Sequence, residues 1–159
     1  MSKIIQNLIA VFVLIITISV PVMAQAPELT WEQKVSNMSV KEMIDYIAPQ
    51  YNQDAKLINK ISYCESRHQL NVVHDGGYGK GVTGIHRATF DGWNIMFEKE
   101  FGFKLNYDSP FDQLTMMSYV FEKGDSYRNQ WTTYVAYVNG GIYFFYSNLL
   151  KNYFTVRCA

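Results

Sequence analysis

Neither sign of charge is in excess in this 159-residue sequence, where 14 Lys and Arg residues balance 14 Asp and Glu residues. Binding to nucleic acid or to an anionic membrane surface relies on clustered basic side chains. The composition therefore predicts no nucleic-acid partner. Aromatic residues are abundant, with 12 Tyr, 10 Phe and 3 Trp. They suit a compact core and also a groove that stacks on flat ligands.

Long apolar runs are lacking, except at the start of the chain. Lys3 precedes an apolar run from Leu8 to Met23, which ends in the small residues of "VMAQA". A positive start, a short apolar middle and an A-x-A end are typical of a secretory signal peptide. We predict a signal peptide over residues 1–26, cleaved after Ala24 or Ala26. The alternative is an uncleaved membrane anchor, for which the run is short, since a span needs about 20 residues.

Cleavage would leave residues 27–159 as one domain, which is long enough to bury a hydrophobic core. Loss of Lys3 would leave one more acidic than basic residue. We expect a monomer that is secreted, periplasmic or held in the cell envelope, with no stable membrane insertion after cleavage.

Cysteine is scarce, with only Cys64 and Cys158 in the sequence. In an oxidising compartment an even pair usually forms a disulfide. Here it would close a loop of roughly 94 residues and contribute up to about 4–5 kcal/mol on the chain-entropy model. Two free thiols are the alternative, because sequence does not show whether the geometry permits a bridge.

Metal-binding motifs are lacking as well, since neither H-E-x-x-H nor C-x-x-C occurs. Cys64, His68, His74 and His86 could in principle hold zinc. The spacing of a known zinc motif is missing, however, and Cys64 has a better partner in Cys158. We therefore interpret the histidines as polar loop residues and expect no metal and no cofactor.

Helix signals dominate the remaining sequence. Thr30 and Ser39 each precede Gln or Glu by three residues, which is the spacing of a capping box. Periodicity and stop signals predict six helices. The first three are Val40 to about Ile47, "QDAKLINKISYCES" with Asp54 as cap, and Thr89 to Lys99. The fourth follows Ser109, with Pro110 in its first turn and Gly124 as its stop, and the last two are Trp131 to Val138 and Ile142 to Phe154.

The helical period vanishes from Gln69 to Gly84, where five glycines and the D-G and G-G pairs of "HDGGYGKG" are typical of a hairpin. The sequence therefore predicts a mainly α, α+β domain, with one small β-hairpin insert that forms a cleft. A plain surface hairpin is the alternative.

Glu65 is the candidate acid. It follows Ile61 by four residues, so on a helix it lies on or beside the apolar stripe. It also lies near the helix C-terminus, where the macrodipole disfavours a negative charge. Both effects raise a carboxyl pKa, which favours a proton donor near neutral pH. The alternative is a half-exposed glutamate paired with Lys60 or Arg67.

The stretch "ISYCESRHQLN…GKGVTGIHRATF" resembles the lysozyme-like superfamily of lytic transglycosylases, goose-type lysozymes and related peptidoglycan-cleaving domains. Glu65 and Ser66 match the E-S pair of that family. Gly81, Gly84 and Ile85 match its G-x-x-G-[LI]-x-Q motif. "DSPFDQLTMMSYVFEKG" is similar to the family's next helix, which often carries a Gln.

The later segment "VAYVNGG" is similar to the family's A-Y-N-A-G motif, with Tyr137 in place. Three positions depart from the family pattern. Arg87 replaces the usual Gln, His86 stands where an apolar residue or Phe is frequent, and Val138 replaces the Asn. The departures affect expected substrate contacts more than the acid itself.

The resemblance, which covers roughly Lys56 to Gly141, implies a lysozyme-like fold and a role for Glu65. Glu65 would protonate the glycosidic oxygen between N-acetylmuramic acid and N-acetylglucosamine in peptidoglycan glycan strands, and would then act as base. Attack by the sugar's own 6-hydroxyl gives a 1,6-anhydro product, whereas attack by water is muramidase hydrolysis.

Asp75 is the nearest candidate for the second carboxylate that a hydrolase normally needs, although Asp is also common in turns. No second acid stands out, which favours a lytic transglycosylase. A muramidase and a module that binds glycan without cleaving it are the alternatives. By resemblance, the expected substrate contacts are Ser66, Gly84, Ile85, His86, Arg87 and Tyr137. Tyr137 could instead be a core tyrosine.

Overall fold

The structure of the protein is a computed structural model that describes residues 29–147 and 152–157. Seven α-helices lie in this part of the chain: α1 (Trp31–Ser36), α2 (Val40–Ile47), α3 (Ala55–Ser66), α4 (Arg87–Phe101), α5 (Pro110–Glu122), α6 (Asp125–Arg128) and α7 (Thr132–Val138). The same residues form two antiparallel hairpins: β1 (Val73–His74) with β2 (Gly79–Lys80), and β3 (Ile142–Ser147) with β4 (Asn152–Arg157). The predicted mainly helical class is confirmed.

Several helices begin at the polar residues that the sequence marks as caps. Ser39 forms a capping box at the start of α2. The Asp54 side chain accepts a hydrogen bond from the Lys56 backbone amide at the start of α3. Ser109 does the same for α5, with Pro110 in the first turn. Each cap satisfies amide donors that the first turn of a helix leaves without a partner.

Helix α5 lies at the centre of the core. Every side chain from Gln113 to Phe121 is buried, so the helix is covered on all sides rather than on one face. Ile58 and Ile61 of α3 join the same core, as does Val82 after the first hairpin. Because burying a large apolar side chain contributes about 1.5–3 kcal/mol, this packing holds α3 and the hairpin segment in place against α5.

The first hairpin confirms the small β insert. Val73 pairs with Lys80 and His74 with Gly79, and Gly79 also forms an isolated bridge with His86. The hairpin therefore continues into the segment that leads to α4.

The second hairpin contradicts the helix that we predicted at Ile142 to Phe154. The structure instead pairs β3 with β4, from Ile142 with Arg157 to Ser147 with Asn152. "IYFFYS" and "NYFTVR" consist largely of aromatic and β-branched residues, which favour a pleated strand. A short, nearly continuous apolar run carries no period that distinguishes a helix from a strand.

Two predictions fall on residues outside the described ranges. These are the signal peptide of residues 1–26 and the disulfide that Cys158 would form with Cys64, and both stay predictions. In the part of the chain that the structure describes, none of the helices is both long enough and apolar enough to cross a membrane.

Candidate active site

A cleft of about 380 Å³ opens beside the C-terminal end of α3. Its wall combines the end of α3, the first hairpin with the segment after it, the start of α4 and the start of α7. The lining residues are Glu65, Asp75, Gly84, Ile85, His86, Thr89, Trp93, Gln130, Trp131 and Thr132. The structure thus brings five of the residues singled out from the sequence to one cleft.

Glu65 lies in the last turn of α3 and is part-buried. The Thr133 hydroxyl of α7 donates a hydrogen bond of 2.5 Å to Glu65 Oε1. Gly84 lies against the other carboxylate oxygen, because a Cβ built on Gly84 would be only 2.6 Å from Glu65 Oε2. The carboxyl group is therefore enclosed between a side chain of α7 and the backbone before α4.

The surroundings of Glu65 raise its pKa to about 7, from an ordinary value of 4.5. Burial is the largest cause, since it removes water from the charged form. The Thr133 hydrogen bond acts in the opposite direction, and the negative charge of Asp75 raises the pKa further. A carboxyl group in this state is part-protonated near neutral pH, as a general acid must be.

Gly84 has a conformation and a position that suit glycine. Its φ is +66°, in the left-handed region that L side chains rarely adopt. Any side chain at this position would also meet the Glu65 carboxyl and approach the His74 ring. A glycine here is what allows the main chain to cover the acid.

Asp75 and His86 form a pair at the rim of the cleft. His86 Nε2 donates to Asp75 Oδ2 at 2.7 Å, and both side chains are exposed to solvent. Asp75 has a φ of +48° in the turn after β1, whereas His86 is the residue before α4. The second carboxylate of the cleft therefore bonds an imidazole.

Two tryptophans line the cleft together. Trp93 and Trp131 stack with ring centroids 5.4 Å apart and an interplanar angle of 28°. The Trp131 indole N–H donates to the Thr83 carbonyl oxygen at 2.7 Å. This bond fixes Trp131 against the segment that carries Gly84, and gives Trp93 a rigid support.

Three residues expected to contact substrate lie outside the lining of this cleft. Ser66 is buried, and its hydroxyl donates to the Val82 carbonyl oxygen at 3.0 Å. The Arg87 guanidinium pairs with Asp108 at 3.2 Å and lies 4.4 Å over the Tyr107 ring.

Tyr137 is the third of these residues. It is 43% exposed at the end of α7, so it is not a core side chain.

Gln113 has a structural place rather than one in the cleft. Its side chain is buried, and Nε2 donates to the Tyr107 carbonyl oxygen at 2.8 Å. Gly81, with a φ of +80°, packs directly on this amide. Gln113, the glutamine of the helix that is similar to the family's next helix, therefore packs against the end of the first hairpin.

Thr133, Trp93 and Gln130 were missed by reasoning from the sequence. Thr133 lies 68 positions from Glu65 along the chain, and no local spacing links the two. The tryptophans lie in helical stretches where an aromatic residue is expected in the core in any case. Neither the two tryptophans nor Thr133 of α7 belongs to a sequence motif that marks a cleft.

The histidines that we considered as zinc ligands are dispersed. His68 bonds the Asn59 carbonyl oxygen at 3.3 Å, and His74 bonds that of Gly81 at 3.2 Å. Among the described residues, no group of three or more His, Cys, Asp or Glu side chains is placed to hold a metal ion.

Comparison with known proteins adds no relative, since no family model, curated protein or solved structure matches this chain.

Proposed function

We propose that this protein is a peptidoglycan-cleaving enzyme of the lysozyme-like type, with Glu65 as its general acid and base. The observation that carries the proposal is the enclosure of the Glu65 carboxyl between the Thr133 hydroxyl and the Gly84 backbone in an open cleft. Burial within this enclosure outweighs the Thr133 bond and favours the protonated carboxyl near neutral pH, which glycosidic bond cleavage requires. The motif resemblance around Glu65 names the substrate.

In the proposed reaction, protonated Glu65 gives its proton to the oxygen of the bond between N-acetylmuramic acid and N-acetylglucosamine. The bond from C1 to this oxygen breaks, and the N-acetylglucosamine side leaves as an alcohol. The carboxylate then takes the proton of the muramoyl 6-hydroxyl as that oxygen attacks C1. The product is a 1,6-anhydro sugar, and Glu65 is again protonated.

A muramidase is the second candidate, and one observation favours it. Asp75 lines the same cleft as Glu65, so a second carboxylate is present where hydrolysis would need one. In that reaction Glu65 or Asp75 would activate water, and the sugar product would keep that water. Asp75 is, however, already bonded to His86. The transglycosylase therefore remains our first proposal.

The test is incubation of the mature protein with purified peptidoglycan, followed by mass spectrometry of the released muropeptides. We expect anhydro-muropeptides, which are lighter by one water than the products of hydrolysis. Glu65→Gln should abolish release. Glu98→Gln is the matched control, because Glu98 is exposed on α4 and pairs with Lys104.

Three results would change the proposal. Release by Glu65→Gln equal to that of wild type would remove Glu65 as the acid. Hydrated products would establish the muramidase instead. Binding to the wall polymer with no release by wild type would leave a glycan-binding module, the alternative given by the sequence analysis.

A further inference from the structure

Side-chain and backbone contacts join the first hairpin to the segment after it, at the rim of the cleft. His86 Nε2 donates to Asp75 Oδ2 at 2.7 Å. Gly79 and His86 also form an antiparallel backbone bridge. Because the Asp75–His86 bond is made by side chains, it can be removed by substitution while the backbone bridge stays.

Gly84 packs closely beside these contacts, in a segment that the Trp131 bond to Thr83 and the Tyr107 bond to Ile85 also hold. A Cβ built on Gly79 would be 2.6 Å from the Gly84 carbonyl oxygen and 3.0 Å from the His86 ring, so these three residues are packed closely. Gly84 in turn lies against the carboxyl of Glu65. Gly84 lies two residues before His86, so the Asp75–His86 bond adds a side-chain restraint to the backbone that covers the acid.

We propose that the Asp75–His86 pair is a positioning device that holds the Gly84 backbone against Glu65 and so limits the access of water to that carboxyl. The catalytic consequence rests on the proposed function, but the effect on Glu65 itself does not depend on any reaction. Asp75 and His86 act through Gly84 and are positioning residues in this respect.

Burial is the main reason why the pKa of Glu65 is raised to about 7, so a looser cover lowers that pKa. The groups around Glu65 that carry or influence charge are Asp75 and His86 at the rim, His74 beside Gly84 and the Thr133 hydroxyl. The cleft-lining residues of α4, Thr89 and Trp93, are uncharged.

A simpler explanation is that Asp75 acts on Glu65 by its charge alone. The two explanations predict opposite results for His86→Phe. This variant leaves the Asp75 charge in place without its partner, so a pure charge effect keeps or raises the pKa of Glu65. Loss of the cover lowers it, because water reaches the carboxylate.

The experiment measures the pKa of Glu65 directly, by NMR of the full mature chain with ¹³C-labelled glutamate carboxyls, assigned with Glu65→Gln. We expect His86→Phe to lower the pKa of Glu65 by about one unit. His86→Gln, which keeps an N–H donor toward Asp75, should restore most of the wild-type value. His86→Ala tests the same loss with a smaller side chain if the phenylalanine variant does not fold.

Asp75→Asn and Asp91→Asn form the charge control. Both remove one negative charge, but Asp91 is exposed on α4 and does not line the cleft. Asp91→Asn should leave the pKa of Glu65 unchanged. Asp75→Asn keeps an oxygen that accepts the His86 bond, so we expect a smaller fall than in His86→Phe.

Activity gives the second readout. A pKa lower by one unit reduces the protonated fraction of Glu65 at pH 7 from about one half to about one tenth, so release of muropeptides should fall roughly fivefold and recover at lower pH. An unchanged or higher pKa in His86→Phe and His86→Ala overturns the positioning role, even if cleavage is observed. A lowered pKa without cleavage by any variant supports the positioning role and rejects the proposed function.

Discussion

Substitution of Gly84 by alanine is expected to have two effects, one on the stability of the fold and one on the position of the Glu65 carboxyl. The first is conformational, because Gly84 has a φ of +66°. A left-handed backbone costs an L residue about 1–2 kcal/mol, partly offset by about 0.4–1 kcal/mol from the lower entropy of the unfolded chain. We expect a net loss of about 1 kcal/mol in the free energy of unfolding.

The second cost falls on the acid. The new Cβ would lie 2.6 Å from Glu65 Oε2, which is closer than van der Waals contact permits. The carboxyl is the end of a flexible side chain, so it would rotate away and weaken its bond to Thr133. Because a displacement of about 1 Å at a reacting group can cost about a hundredfold in rate, we expect a loss of activity of that order without unfolding.

Gly76→Ala is a close control for this experiment. Gly76 has a φ of +67°, nearly that of Gly84, but an added Cβ there would meet no atom within 4 Å. Urea unfolding should show a similar loss of stability for both variants, which at this size corresponds to a fall in Tm of roughly 2–6 °C. Muropeptide release should fall sharply in Gly84→Ala only. Equal activity of the two variants would refute the close approach of Gly84 to the acid.

Further predictions concern the acid and its surroundings. With the pKa of Glu65 raised to about 7 from 4.5, the folded chain holds an extra proton between these pH values. Wild type therefore loses stability as pH rises through that window, by at most about 3 kcal/mol. Glu65→Gln should not show this loss in urea unfolding, and parallel pH curves would contradict the raised pKa. Thr133→Val removes a hydrogen bond that favours the charged carboxylate, so the alkaline limb of the activity profile should move to higher pH, whereas Thr133→Ser should retain the wild-type limb. If the alkaline limb of the pH–activity profile did not move in Thr133→Val, the hydrogen bond from Thr133 to Glu65 would have no effect on the pKa of the acid. Trp93→Ala should weaken the binding of glycan fragments in calorimetry by roughly threefold to tenfold, with Trp93→Phe much less affected; unchanged affinity in both would place the sugar elsewhere.

The features that the sequence predicted well depend on neighbours within a few positions. Ser39 and Asp54 cap their helices as expected, since a cap is an interaction with the next turn. The position of Glu65 near the core follows from its spacing after Ile61, because a helix repeats its face every three to four residues.

Contacts between distant parts of the chain were decided by the tertiary structure alone. Thr133 reaches Glu65 because α7 packs against α3, and Arg87 is held outside the cleft by Asp108. No local pattern encodes either contact.

The Ile142–Phe154 segment also depended on contacts that the sequence did not reveal. Its apolar run has no clear period, and it forms strands because β3 pairs with β4. The sequence by itself therefore determined the helical framework and the candidate acid. Packing decided what surrounds that acid, because burial and hydrogen bonding depend on which segments meet in space.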